Sequence, residues 1–222
     1  MNSEYHLPWY NKLARKIIIP IFRLLFNTLS HVEVSGLENI PVGQPYLMVF
    51  NHVSLYEAPI LVSHWPESLE VLGAKDVWER PGQNLLANAY GGIPIYRGEV
   101  DRTAMYKMLA VLQSGRPLLI APEGTRSHKP GMQAGKPGIA FVYEKLHVPF
   151  VPVGMIGTTE DFLPNLLHFR KPTVKMVIGP AFMLPTDLGA ELKRSEAYQV
   201  QVDYVMRKIA ALLPEEYRGM YA

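Results

Sequence analysis

The chain opens with an apolar block whose period is helical and is interrupted by charge. Residues 8–29, PWYNKLARKIIIPIFRLLFNTL, interleave Lys12, Arg15, Lys16 and Arg23 with aromatic and aliphatic side chains. From residue 31 the pattern changes. Short β-branched runs alternate with longer segments of helical period, which predicts a largely parallel sheet covered by helices. The runs HVEVSG (31–36), YLMVF (46–50), LEVLGA (69–74), IPIY (93–96), PLLIA (117–121), PFVPVG (149–154) and TVKMVIG (173–179) predict strands. Helices are expected over about 55–64, 76–89, 101–114, 136–146 and 190–213. On the last of these, Ala197, Val200, Tyr204, Ile209 and Leu212 recur at roughly helical spacing. The stretch 158–172, TTEDFLPNLLHFRKP, reads as one long irregular loop. The economical architecture is one α/β domain over 31–222 with an N-terminal appendage over 1–30.

That appendage is too broken to span a bilayer, which needs about 20 uninterrupted apolar residues. No small-residue cleavage site follows it, so a cleaved signal peptide is not expected. Two readings stand. One is a helix, bent or split at Pro20, lying in the headgroup plane with its cations outward. The other is a helix docked on the domain's own core.

Composition changes this picture only at its edges. With 48% hydrophobic and 19% charged residues, some apolar surface is expected to stay exposed. The absence of cysteine removes disulfides, zinc–thiolate sites and thiol nucleophiles. A net charge of +2 without a basic run argues against nucleic acid as a partner.

In parallel sheets ligands gather beyond the carboxyl ends of strands. Four segments there carry chemistry: NHVSLYE (51–57), RGEVDR (97–102), PEGTRS (122–127) and GMIGT (154–158). His52 is a candidate general base and Glu57 a carboxylate that could orient it. Five residues along a helix turn through about 500°, so the two can meet only if His52 sits in the turn before the helix. Ser54 and Glu57 form a capping-box pattern that starts a helix there. Taken alone, the pattern favours capping over catalysis. PEGTRS offers Glu123, Gly124, Thr125, Ser127 and Arg126, and Arg97 supplies a second guanidinium; together they suit a phosphate-bearing ligand. GMQAGKP (131–137) lacks the spacing and the hydroxyl residue of a P-loop, and no G-x-S-x-G, H-E-x-x-H or G-x-G-x-x-G motif is present.

These segments resemble, in order, the blocks of the glycerolipid acyltransferase family that includes bacterial 1-acylglycerol-3-phosphate acyltransferases. NHVSLYE resembles its N-H-x-x-x-x-D block, GGIPIYR (91–97) its second, PEGTRS its third and VPFVPVGMIGT (148–158) its fourth. The resemblance covers roughly residues 30–180. It implies that His52 is the general base, with Glu57 standing where the family usually has aspartate. It implies that Arg97, Glu123, Gly124, Thr125 and Arg126 bind the acceptor's glycerol phosphate. Lys136 resembles the lysine after the third block, although Gly135 replaces the usual phenylalanine before it. The implied reaction moves a fatty acyl group from acyl-CoA or an acyl carrier protein to a lysophospholipid hydroxyl, with no cofactor and no metal. Alternative readings are transfer to another lysolipid, glycolipid or aminolipid, or a catalytically inactive lipid-binding relative. A lipid substrate favours the membrane-surface reading of residues 1–30, with the protein peripheral or monotopic on the cytoplasmic face of the cell membrane.

Overall fold

A computed structural model describes residues 5–96 and 101–222. Seven strands form one sheet: β1 (His31–Ser35), β2 (Leu47–Phe50), β3 (Glu70–Ala74), β4 (Ile93–Ile95), β5 (Leu118–Ile120), β6 (Phe150–Ile156) and β7 (Thr173–Ile178). Their order across the sheet is β1-β7-β6-β2-β5-β3-β4. All neighbouring pairs are parallel except β6 and β7. The chain thus has the largely parallel α/β sheet that its alternating pattern implies. The carboxyl ends of β2, β4, β5 and β6 share one end of it. The central strand β2 is buried at all four positions, as expected of a continuous apolar run covered on both faces.

One face of the sheet carries α1 (Trp9–Leu29), α2 (Glu57–His64), α3 (Gln83–Tyr90) and the short α6 (Phe162–Leu167), around a core that includes Phe26, Met48, Ile60, Tyr90 and Phe162. The other face carries α4 (Arg102–Gln113), α5 (Gly138–Leu146) and α7 (Arg194–Ala210), around Leu47, Val111, Val142, Phe150 and Ile209. A final short helix, α8 (Glu215–Arg218), closes the chain near Met132.

Helix boundaries depart from the sequence reading where turn residues intervene. The helix expected over 76–89 is a 3-10 turn (Lys75–Glu79) followed by α3, because Pro81 and Gly82 interrupt it and Gly82 takes φ 80°. Helix α2 begins at Glu57 rather than Ser54. Helix α7 buries Val202, Val205, Met206 and Ile209, whereas Val200, expected on its inner face, is exposed. The stretch 158–172 is not irregular throughout, since it contains α6.

Helix α1 continues through Pro20 as one helix. The first half of its inward stripe is polar. Asn11 donates to the backbone carbonyls of Asn88 and Ala89 at 2.7 and 2.8 Å. Arg15 points inward, contrary to the expectation that every cation faces outward, and its guanidinium meets Glu70 at 2.6 Å. Glu70 is fully buried and also accepts from Arg116 and Tyr5. Burial alone would raise the Glu70 carboxyl, but Arg15, with Tyr5 and Arg116, holds the group below its ordinary range. The outward stripe of α1 is apolar: Trp9, Leu13, Ile17, Ile21 and Leu24 are all exposed. The helix therefore docks through a buried ion pair and, at its C-terminal half, through Phe26, and presents its outward apolar stripe to the surroundings. Among the described residues, no helix is long and apolar enough to cross a membrane.

Candidate active site

The site grows from the end of β2. Asn51, buried, brackets the backbone of Met155 on β6, donating from Nδ2 to its carbonyl at 2.9 Å and accepting its N–H on Oδ1 at 2.7 Å. This clamp fixes the carboxyl ends of β2 and β6 as the chain leaves the sheet. His52 follows in the loop before α2, which is where contact with Glu57 requires it. Its Nδ1 lies 2.7 Å from Glu57 Oε2, with its ring edge-on to Phe50.

The tie back to Ser54 expected of a capping box and the pairing with His52 coexist at Glu57, although α2 itself starts at Glu57 with no side-chain cap. The fully buried carboxylate accepts the backbone N–H of Ser54 at 2.8 Å and the Ser54 hydroxyl at 3.2 Å, while also meeting the imidazole. Thr158 supplies a further donor, its hydroxyl 2.5 Å from Glu57 Oε1. Thr158 is fully buried at the end of the fourth block. The preceding Gly157 takes φ 91°, and a Cβ there would lie 2.2 Å from the Thr173 carbonyl oxygen, so only glycine lets the chain turn Thr158 toward Glu57. The GMIGT segment is legible in the sequence as strand-end chemistry, but Thr158 is not distinguished within it. A hydroxyl about a hundred positions away in the chain carries no spacing signal toward Glu57.

The third block is laced to the same histidine. Glu123 Oε1 accepts the His52 N–H at 2.8 Å, and the His52 carbonyl accepts the N–H of Ser127 at 2.8 Å. The second Glu123 oxygen accepts the N–H of Gln133 at 2.8 Å. Glu123 is 1% exposed, and burial pushes its carboxyl from the ordinary 4.5 up to about 7. Gly124 takes φ 71° at the turn, with Thr125 and Arg126 half-buried beside it. Lys136 is exposed, and its backbone N–H ties back to the Pro122 carbonyl at 2.8 Å. Arg97, expected among the phosphate ligands, lies outside the described residues. The described residues contain no group of three or more metal-ligating side chains.

Residues 31–156, more than half of the chain, match the family model described as acyltransferase. The chain belongs to the acyltransferase family. This acyltransferase is 25% identical over 183 residues to the 1-acyl-sn-glycerol-3-phosphate acyltransferase of Borreliella burgdorferi, covering 82% of the chain and 72% of that relative. It is 28% identical over 171 residues to the protein of the same name from Helicobacter pylori, covering 72% and 70%. Its fold is similar to the crystal structure of the 1-acyl-sn-glycerophosphate acyltransferase PlsC from Thermotoga maritima, with a TM-score of 0.62 at 22% identity, covering 90% of this chain and 83% of that one. The matched region contains the whole of the acyltransferase's His52, Glu57 and Glu123 cluster and ends two residues short of Thr158.

Proposed function

We propose that the acyltransferase moves a fatty acyl group from an acyl thioester, carried by CoA or an acyl carrier protein, to the free hydroxyl of a lysophosphatidic-acid-like glycerolipid. The observation that carries this reading is the 2.7 Å pair of His52 Nδ1 and Glu57, held at the mouth of the sheet by the third block. The names of the two bacterial relatives support the choice of acceptor.

In this reading Glu57 holds the proton-bearing Nδ1, and Nε2 takes the proton of the acceptor hydroxyl as its oxygen attacks the thioester carbonyl. The tetrahedral intermediate collapses with cleavage of the C–S bond, and the thiolate leaves with the proton returned from Nε2. Glu57 stabilises the imidazolium between these steps. No acyl-enzyme is required, consistent with a chain that has no cysteine. Arg126, Thr125, the Gly124 backbone and Lys136 bind the acceptor phosphate, and Arg97 is assigned to the same group from its place in the second block. Glu123 acts as a positioning residue, since both of its oxygens are engaged by backbone N–H groups. The outward stripe of α1 rests on the cytoplasmic surface of the cell membrane and gives the site access to lipid. Residues 1–30 serve this association and 31–222 the chemistry.

The test is direct. Purified protein is given oleoyl-CoA and lysophosphatidic acid, and the product is read by mass spectrometry. Phosphatidic acid with release of CoA is expected. CoA release only with a different lysolipid, or none at all, would remove the proposed acceptor.

A further inference from the structure

The helix that sequence reasoning missed ends in an unusual way. At the end of α6, Phe169 N–H donates to the Leu166 carbonyl at 3.0 Å and Arg170 N–H to the Asn165 carbonyl at 2.9 Å. This is the hydrogen-bond pattern of a Schellman turn, and its left-handed position is normally glycine. Here it is Phe169, at φ 56°. A bulky residue in that region is an outlier, and nothing packs on it to compensate, because its side chain is 77% exposed. Leu163 and Leu167, one helical turn apart, are also exposed, Leu167 by 69%. His168, Arg170 and Lys171 surround this apolar tip and are exposed. The acidic Glu160 and Asp161 lie at the opposite end of the short helix.

The tip adjoins α1. Pro172, which closes it, accepts the N–H of His31 at 3.0 Å, two residues beyond the end of α1. Both helices pack on the same core, through Phe26 of α1 and through Phe162 and Leu166 of α6. We propose that the α6 tip, Leu163, Leu167 and Phe169 flanked by Arg170 and Lys171, is a second membrane-contact element that seats on an anionic lipid surface beside α1. The aliphatic and aromatic side chains enter the interface and the cations meet the headgroup phosphates. An acidic protein would satisfy the cations equally well. Closeness to the C-terminal end of α1, whose outward stripe is exposed and apolar, favours a lipid surface. The inference rests on the reading of α1 as lipid-facing. It also gives the exposed Phe169 a use, and it brings the bilayer to the segment that begins at Thr158, next to Glu57.

Because the chain has no cysteine, Phe169→Cys in the full-length protein gives a single site for an environment-sensitive fluorophore, and Glu196→Cys on α7, across the sheet, gives a control. The probe is vesicles of phosphatidylcholine with phosphatidylglycerol, with no substrate present. The label at 169 is expected to shift to the blue and become shielded from an aqueous quencher, while that at 196 does not change. Phe169→Gly relieves the backbone and removes the ring, so thermal stability should hold or rise while vesicle partitioning falls by about 10-fold. A Phe169→Gly protein that sediments with vesicles like the parent would overturn the proposal. So would a label at 169 that responds to an acidic acyl carrier protein but not to vesicles. Since no turnover is involved, a protein that shows the shift but makes no phosphatidic acid contradicts the proposed acceptor and leaves this inference standing.

Discussion

Glu123 and His52 are joined side chain to backbone: the carboxylate of the third block accepts the N–H of the histidine at 2.8 Å, and Ser127 of the same block donates to the histidine's carbonyl. One block about seventy residues further along the chain thus holds the backbone of the proposed general base from both sides. A loop that would be free to move on its own becomes fixed, and misplacement of a reacting group by about 1 Å can cost on the order of 10²-fold in rate.

Glu123→Gln keeps the volume but replaces one acceptor oxygen with a donor, which must lose one of the two amide contacts. We expect kcat to fall on the order of 10²-fold with little change in KM for the acceptor. A large rise in KM at preserved kcat would instead make Glu123 a substrate contact. The pH dependence gives a second handle. Because the folded carboxyl titrates near 7 against an ordinary 4.5, its contribution to stability is present below about 4.5 and is lost as pH rises toward 7. The decline of Tm across that window should be smaller in Glu123→Gln.

Thr158→Val removes the hydroxyl at nearly constant volume and leaves the buried Glu57 oxygen one donor short. The oxygen keeps the Ser54 N–H and hydroxyl, but losing one hydrogen bond to a charged group costs about 1.5–3 kcal/mol, so kcat should drop roughly 10-fold or more. Thr158→Ser restores the donor and should recover most of the activity. Equal loss in the Ser and Val variants would point to packing alone.

The seven strands and the main helices were legible because the apolar runs of β2, β5 and β6 are short, β-branched and bounded by turn residues. The His52 and Glu57 pairing was legible as a possibility from local spacing, since a capping pattern starts a helix just after the histidine. Four features were not. Helix α6 is only six residues and contains Pro164, so its period is too short to register. Arg15 looks like any interfacial cation until Glu70, far along the chain, is placed beside it. Thr158 and the backbone role of Glu123 depend on the order of the strands, which brings β5 and β6 to either side of β2.

The buried tie between α1 and the sheet predicts a stability effect. Glu70→Gln leaves Arg15 buried without its counter-charge, which should cost roughly 3–5 kcal/mol, seen as a lower midpoint in denaturant. The sign with pH follows from a carboxyl held below its ordinary range. Its stabilisation is complete above about 4.5 and is lost as pH falls through the lowered folded value. A wild-type-like midpoint in Glu70→Gln would contradict this account of how α1 is held.

Arg126→Ala and Arg97→Ala are expected to raise KM for a phosphate-bearing acceptor roughly 10- to 100-fold, the equivalent of losing about 1.5–3 kcal/mol of charge-assisted hydrogen bonding. KM for the acyl donor should change little. Equal effects on both substrates would assign these arginines to the fold.

Glu57 is proposed to serve His52 and not merely to tie back to Ser54 before α2, and one substitution separates the two roles. Glutamine in place of Glu57 can still accept the Ser54 N–H, so capping and thermal stability should survive. The negative charge proposed to stabilise the imidazolium is lost. The measurement is kcat for acyl transfer by Glu57→Gln, taken with its Tm. A fall of at least roughly 10²-fold at near-wild-type Tm is expected. Wild-type turnover in the Glu57→Gln protein would contradict it and return this carboxylate to helix capping.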